Sequence, residues 1–339
     1  MAPLQRQLQE LAGLLEHGGN LTAASRQYGI PLEAWLDLST GINPNGYPLS
    51  LIPPSAWQRL PLHDDGLVEA AQKYYGCPHA LPTSGSQAAL QTLPRLRAPC
   101  RVAVLTRTYS EHRLAWSRCG HEIVTYADKP DAQILSQADV VLVCNPNNPT
   151  AMRYTPAELL QWHEQLAQRG GWLIVDEAFM DATPESSIAR YADRPGLFVL
   201  RSLGKFFGLA GARVGFLLAA KATLHAVEEL LGPWPLSGPS RLVAVQALTD
   251  KAWQEQALKQ LRTDSLQLSS LLSKHGLAPQ AGTDLFQWVP TAKAAAWHRH
   301  FARHGIWVRH FDEFAALRFG LPPVDGWARL SAALQAFSD

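Results

Sequence analysis

Lys205 lies in the segment Arg201-Ser-Leu-Gly-Lys-Phe-Phe-Gly-Leu-Ala-Gly-Ala-Arg213-Val-Gly215, after the apolar run Leu197 to Leu200. An amine held at the end of a buried strand can form a Schiff base with an aldehyde. The glycines around it let backbone approach a bulky group, and Arg213 supplies a cation for a phosphate. A small molecule carrying both an aldehyde and a phosphate fits this segment. Taken alone, the same residues read equally as a surface lysine in a glycine-rich loop.

Further chemistry-bearing residues recur after other apolar runs. Asp176 ends Trp172-Leu-Ile-Val-Asp176, and Cys144-Asn-Pro-Asn-Asn148-Pro-Thr150 follows Val140 to Val143. Thr83-Ser-Gly-Ser86 precedes a helical stretch, Ala88 to Leu93, where small hydroxylated residues, backbone N–H groups and the helix dipole suit an anion. Each has a plainer reading: a capping Asp, a stiff Asn-Pro turn, a Ser N-cap. Read for chemistry, Asp176 pairs with a protonated pyridine nitrogen, Asn148 donates to a ring phenolate oxygen, and Ser84, Gly85, Ser86, Ser202 and Arg213 form a phosphate cup. Tyr109, beyond Val102 to Leu105, stacks on the ring or simply packs. Lys205, Asp176 and these residues together describe a site for pyridoxal 5'-phosphate (PLP).

The elements that must position them follow from the pattern. Val102–Leu105, Val140–Cys144, Trp172–Val175, Leu197–Leu200 and Val214–Leu218 read as buried strands, with helices at Ser110–Cys119 and Thr155–Arg169. Thr155-Pro-Ala-Glu158 supplies an N-cap, a proline at the first helical position and an acidic first turn. Strand and helix alternate, which predicts an α/β domain with a mostly parallel sheet and chemistry beyond the strands' carboxyl ends. The proline- and glycine-rich Gly232 to Pro239 breaks the pattern. A long helix over about 240–275, strands at Leu285–Val289 and Ile306–His310, and helices at Thr291–His304 and Val324–Phe337 then predict a smaller α+β domain. The expected division is an arm over 1–45, a large domain over 46–235 and a small domain over 236–339.

Composition narrows the class. The chain has 339 residues, 47% hydrophobic and 17% charged, with net charge +1, so nothing favours nucleic acid or an acidic membrane surface. Four scattered cysteines without CxxC spacing indicate free thiols and a cytoplasmic setting. Met1 to Glu16 is polar and amphipathic, with no apolar signal-peptide core. The twelve histidines form no metal-ligand pattern, and His298 and His300 read as solvated. No metal is expected.

In series, the Ser-Gly-Ser cup, Tyr109, the Asn-Pro turn, Asp176 and Lys205 resemble the fold-type I PLP enzymes over nearly the whole chain. The branch that looks closest holds histidinol-phosphate aminotransferase and the threonine-phosphate decarboxylase of cobalamin biosynthesis. The resemblance implies the fold-type I transferase fold and a homodimer with active sites near the subunit interface. His17-Gly-Gly-Asn20 and Asp37-Leu-Ser-Thr-Gly-Ile-Asn-Pro44 are similar to the decarboxylases' N-terminal signature. Phe179 stands where the aminotransferases usually have a tyrosine. The substrate site implied uses His17, Gly18 and Gly19 for phosphate, Arg318 for carboxylate, backbone near Gly41 and Ile42, Asn148, and Arg309 for phosphate or structure. Without the resemblance, His17-Gly-Gly reads as a flexible arm before a capped helix. Two departures stand out: Leu60-Pro61 replaces a Tyr-Pro that reaches the partner's cofactor phosphate, where His63 or a water can substitute, and Gly204 replaces a common serine. The activity implied is decarboxylation of L-threonine O-3-phosphate. The rival is a histidinol-phosphate-type aminotransferase; a PLP-binding regulator or a structural protein fits less well.

Overall fold

The computed structural model describes residues 18–62 and 64–337, so His63 and the first part of the N-terminal arm, His17 included, lie outside the described residues. Its strands are β1 (Leu36–Leu38), β2 (Leu81–Ser84), β3 (Arg101–Leu105), β4 (Glu122–Tyr126), β5 (Val140–Cys144), β6 (Trp172–Asp176), β7 (Leu197–Ser202), β8 (Val214–Leu218), β9 (Ala281–Thr283), β10 (Phe286–Pro290), β11 (Ile306–Phe311) and β12 (Ala316–Gly320). The chain divides into two compact units. Among described residues the first holds 47–148 and 152–253, and the second holds 18–46, 149–151 and 254–337.

The first unit is built on a seven-stranded sheet in the order β2-β8-β7-β6-β5-β3-β4. β4, β3, β5, β6 and β7 run parallel, while β8 is antiparallel to both β7 and β2. Continuous burial explains the central strands: every residue of β5 and β8 is buried. A strand covered on both faces needs an unbroken apolar run rather than an alternating one. Helices flank the sheet. Pro156–Ala167 begins in a full capping box, Thr155 Oγ1 accepting from the Glu158 N–H and the Glu158 carboxylate accepting from the Thr155 N–H. Beside it, Lys129 pairs with Glu158.

The helical stretch after residue 237 differs from the sequence expectation. The long helix over about 240–275 is two helices, Gly238–Thr249 and Lys251–Lys274. Asp250 leaves helical geometry and its carboxylate accepts from the Trp253 N–H, capping the second helix. The first of them packs Val243, Ala244, Ala247 and Leu248 into the interior and belongs to the first unit.

The second unit carries a five-stranded sheet, β1-β11-β12-β10-β9. Only the β1–β11 pair is parallel, with Leu36 opposite Ile306 and Leu38 opposite Val308. Phe286, Phe301, Phe319, Leu317 and Leu38 form its fully buried interior. The helix Leu21–Tyr28 packs through Ala24 and Tyr28 onto Trp35 and Trp307, whose rings meet edge to face.

His298 and His300 are half-buried, against the expectation of solvated side chains. His300 bonds the Ala333 carbonyl at 2.7 Å, and the His298 ring lies 4.7 Å from Trp307 and 5.2 Å from His310. Burial first, then the charges of His310, Arg309 and Arg299, hold His298 down to about 4. The folded state therefore keeps it neutral where the unfolded chain protonates it. The stability it contributes is complete above its ordinary value of 6.5 and is lost as pH falls toward 4. We expect urea midpoints to drop between pH 7 and pH 4.5, and His298→Asn to flatten that drop.

Candidate active site

The chemistry-bearing residues of the first unit gather where its parallel strands end. Asp176 is the last residue of β6 and lies opposite Cys144 of β5 and Leu200 of β7. It is buried, with Oδ1 accepting from the Ala178 N–H at 3.0 Å. His112 Nε2 meets Asp176 Oδ2 at 3.0 Å, and both side chains are almost wholly buried. Lys205 follows β7, its Nζ 5.2 Å from the centre of the buried Phe179 ring. Tyr109 precedes the helix Ser110–Arg118 and sets its ring edge to face with His112, 5.6 Å away. Burial first, then the charges of Glu111 and Asp176, push the Tyr109 phenol well above its ordinary range, with Arg213 opposing. It is a neutral, aromatic surface at neutral pH.

The Asn-Pro turn divides its labour. Asn145 braces Tyr154 in both directions, at 3.1 and 2.9 Å, and Asn147 ties to the Arg107 carbonyl and to Thr108 Oγ1, each at 2.7 Å. Those bonds fix the loop that presents the half-buried Asn148. Cys144 Sγ, His112 and Asp176 also offer donor atoms within 4.8 Å of one another.

The cup forms where the helix Gly85–Thr92 meets the start of β8. Gly85 takes φ +70°, and its N–H donates to the Arg213 carbonyl at 3.0 Å. A Cβ on Gly85 would stand 2.7 Å from Arg213 Nη2, and one on Gly215 would stand 2.3 Å from the Ser86 nitrogen. Neither position has room for a side chain, so backbone and guanidinium close on one another directly. Ser84 does not cap the helix with its hydroxyl, which donates instead to the Pro235 carbonyl. Ser202 Oγ accepts from the Gly204 N–H at 3.2 Å.

Behind these groups lies a dry ion network that the sequence reading missed. Arg201 of β7 donates to Glu177 and to Asp181, each at 2.6 Å, and all three are essentially unexposed. Ser187 Oγ and the Ile188 N–H also bond Glu177, at 2.5 and 2.9 Å. Burial pushes both carboxyls up while the guanidinium pulls them down, and the two acids keep Arg201 charged. A second network, Tyr109 OH to Gln87 and Gln87 to Glu111, runs at 3.3 and 3.0 Å.

In the second unit, Arg309 of β11 stands directly opposite Arg318 of β12. Arg318 is buried and donates from Nη2 to the Ser39 carbonyl at 2.6 Å. Gly18 and Gly19 begin the turn that leads into the helix Leu21–Tyr28, with Asn20 as its cap. Gly41 is buried and Ile42 half-buried in the segment after β1.

Residues 58–336 match the model of the family described as aminotransferase class I and II. The chain belongs to this family. It is 52% identical over 96% of its length to a threonine-phosphate decarboxylase of Pseudomonas aeruginosa, of which it covers 99%. A second threonine-phosphate decarboxylase, from a Sinorhizobium species, is 39% identical over 94% of this chain and 97% of that one. The crystal structure of histidinol-phosphate aminotransferase from Sinorhizobium meliloti, in complex with pyridoxal-5'-phosphate, superposes with a TM-score of 0.81. That likeness, at 21% identity over 96% of this chain and 95% of that one, shows the family's fold.

His112 was within reach of the sequence, since it follows Tyr109 by three residues at a helix start, which places the two on one face. Arg201 carries no such signal, because its partners lie on the neighbouring strand's loop. Removing a single partner from a buried ion network strands the remaining charges. Arg201→Met should cost about 3–5 kcal/mol in urea denaturation.

Proposed function

We propose that Lys205, Asp176, Asn148, Tyr109, Ser202, Arg213 and the Ser84–Gly85–Ser86 turn hold pyridoxal 5'-phosphate, and that Arg318, Arg309, Gly18, Gly19, Gly41, Ile42, Asn148 and His17 bind the substrate. The enzyme is a PLP-dependent decarboxylase that converts L-threonine O-3-phosphate to (R)-1-amino-2-propanol O-phosphate and carbon dioxide, a step of cobalamin biosynthesis. Its kinship at 52% identity with the Pseudomonas aeruginosa threonine-phosphate decarboxylase carries this reading over transamination.

The cup suits the cofactor's phosphate, because Gly85 and Gly215 leave no room for a Cβ, a helix N-terminus faces the cradle and Arg213 lines it. When bound, PLP supplies an aldehyde that takes up amines and a protonated ring that draws off the electron pair left at Cα. Lys205 is the residue that would hold it covalently, and its amine can return a proton to Cα after carbon dioxide leaves. The Asp176 carboxylate would keep the ring nitrogen protonated, with His112 fixing the carboxylate's orientation at 3.0 Å. Tyr109 offers a flat face to the ring. Phe179 has no hydroxyl, so hydrogen bonding to the phenolic oxygen falls to Asn148.

Substrate anchoring decides which bond at Cα is presented for cleavage. Arg318 grips the carboxylate, and the Gly18–Gly19 turn with Arg309 takes the phosphate. Fixed orientation of this kind supplies ~7 kcal/mol or more of a barrier.

The proposed assembly is a homodimer. Leu49, Leu51, Trp57, Leu60 and Leu62 are all exposed within one short stretch of the first unit, which suits a second copy of the chain. A cytoplasmic setting fits four free cysteines. No helix among the described residues is long and apolar enough to cross a membrane.

Incubation with L-threonine O-3-phosphate and no keto acid should release carbon dioxide, without exchange between glutamate and 2-oxoglutarate. The opposite pattern would establish transamination. Lys205→Ala should lose borohydride-fixed PLP at residue 205, read by peptide mass spectrometry. Asp176→Asn should keep that attachment while carbon dioxide release slows at least ~100-fold, since the ring nitrogen loses its anionic partner.

A further inference from the structure

Ser39 is wholly buried and joins three parts of the second unit. Its Oγ accepts from the Gly19 N–H at 2.7 Å and donates to Asp37 Oδ1 at 2.6 Å. Its own N–H also donates to Asp37 Oδ1, at 2.8 Å. Its carbonyl accepts from Arg318 Nη2 at 2.6 Å. Gly18 presses on the same residue, and a Cβ there would stand 2.5 Å from the Ser39 carbonyl oxygen. The Gly18–Gly19 turn and the Arg318 guanidinium therefore meet on one backbone unit.

We propose that Ser39 is a positioning residue, fixing the spacing between the Gly18–Gly19 turn and Arg318 and thereby the preference for a substrate with a phosphate as well as a carboxylate. This rests on the substrate-binding roles given to those residues above. The chemistry favours a rigid bracket. A hydroxyl that donates to a carboxylate is a stronger acceptor, so Asp37 strengthens the Ser39–Gly19 bond. The carbonyl bond holds a side chain that otherwise samples many rotamers. Gly19's N–H is spent on Ser39, so the turn serves the substrate through its placement rather than through that amide.

The test compares PLP-loaded wild type with Ser39→Ala, which keeps the carbonyl and deletes the hydroxyl. Loss of one buried hydrogen bond predicts a KM for L-threonine O-3-phosphate raised ~10-fold, with kcat within ~2-fold. The dissociation constant of inorganic phosphate, by calorimetry, should rise by a similar factor, while that of L-threonine stays within ~2-fold. Asp37→Asn keeps an acceptor oxygen but loses the charge, and should raise the KM and the phosphate dissociation constant by less than Ser39→Ala does. Parallel weakening of phosphate and L-threonine, or no weakening of either, overturns the proposal. Should Ser39→Ala fail to fold, Gly18→Ala must reproduce the selective loss, and an unchanged phosphate affinity there overturns it. If wild type releases no carbon dioxide from the phosphorylated amino acid, the decarboxylase reading fails, and the phosphate affinities alone then decide the role of Ser39.

Discussion

One guanidinium shared by two buried carboxylates underlies the strand ends where the first unit's chemistry-bearing residues gather. Arg201 is the penultimate residue of β7, and Glu177 and Asp181 belong to the loop leaving β6. Asp176 immediately precedes Glu177, and Ser202 immediately follows Arg201, so the ion network sets the backbone at both strand ends. Desolvating three charges is expensive, and an apolar trio of the same volume can be equally stable. What the network gives is a single arrangement of two loops, since any slippage leaves a bare charge in a dry interior. That rigidity helps Asp176 meet His112 and Phe179 face Lys205.

Much of this was legible in the sequence because the first unit's sheet is mostly parallel and covered on both faces. Strands buried on both faces read as apolar runs, so β5, β7 and β8 declared themselves, and the chemistry at their ends followed. β4 was not seen, because Glu122 to Tyr126 is an edge strand that mixes exposed and buried positions. The division at Asp250 was also missed: a polar residue inside a helical pattern is indistinguishable from a surface position until its carboxylate is seen capping Trp253. Ser39 lay further out of reach. Its partners sit 20 and 279 residues away, and a lone serine after a short strand announces nothing.

The two halves of the chemistry use different physical means. The first unit gathers a helix N-terminus and a buried acid at strand ends, through contacts that join distant parts of the chain such as His112 with Asp176 and Gly85 with Arg213. In the second, Arg309 and Arg318 face each other across the β11–β12 pair, Arg318 lying over Phe286 and Arg309 over Phe311. Phe179 belongs to the first half and contributes by what it lacks, an aromatic surface beside the lysine with no hydroxyl to share.

The parallel pairing of β1 with β11 has a bearing on how the polypeptide is made. Leu36 leaves the ribosome long before its neighbour Ile306. The seven-stranded sheet needs nothing beyond Leu218 to complete its ladder, so it can assemble while the rest is still being synthesised. The early segment that includes β1 must wait, unpaired, for a late strand to claim it. Maturation of the enzyme thus runs in a set order, with the five-stranded sheet finished last.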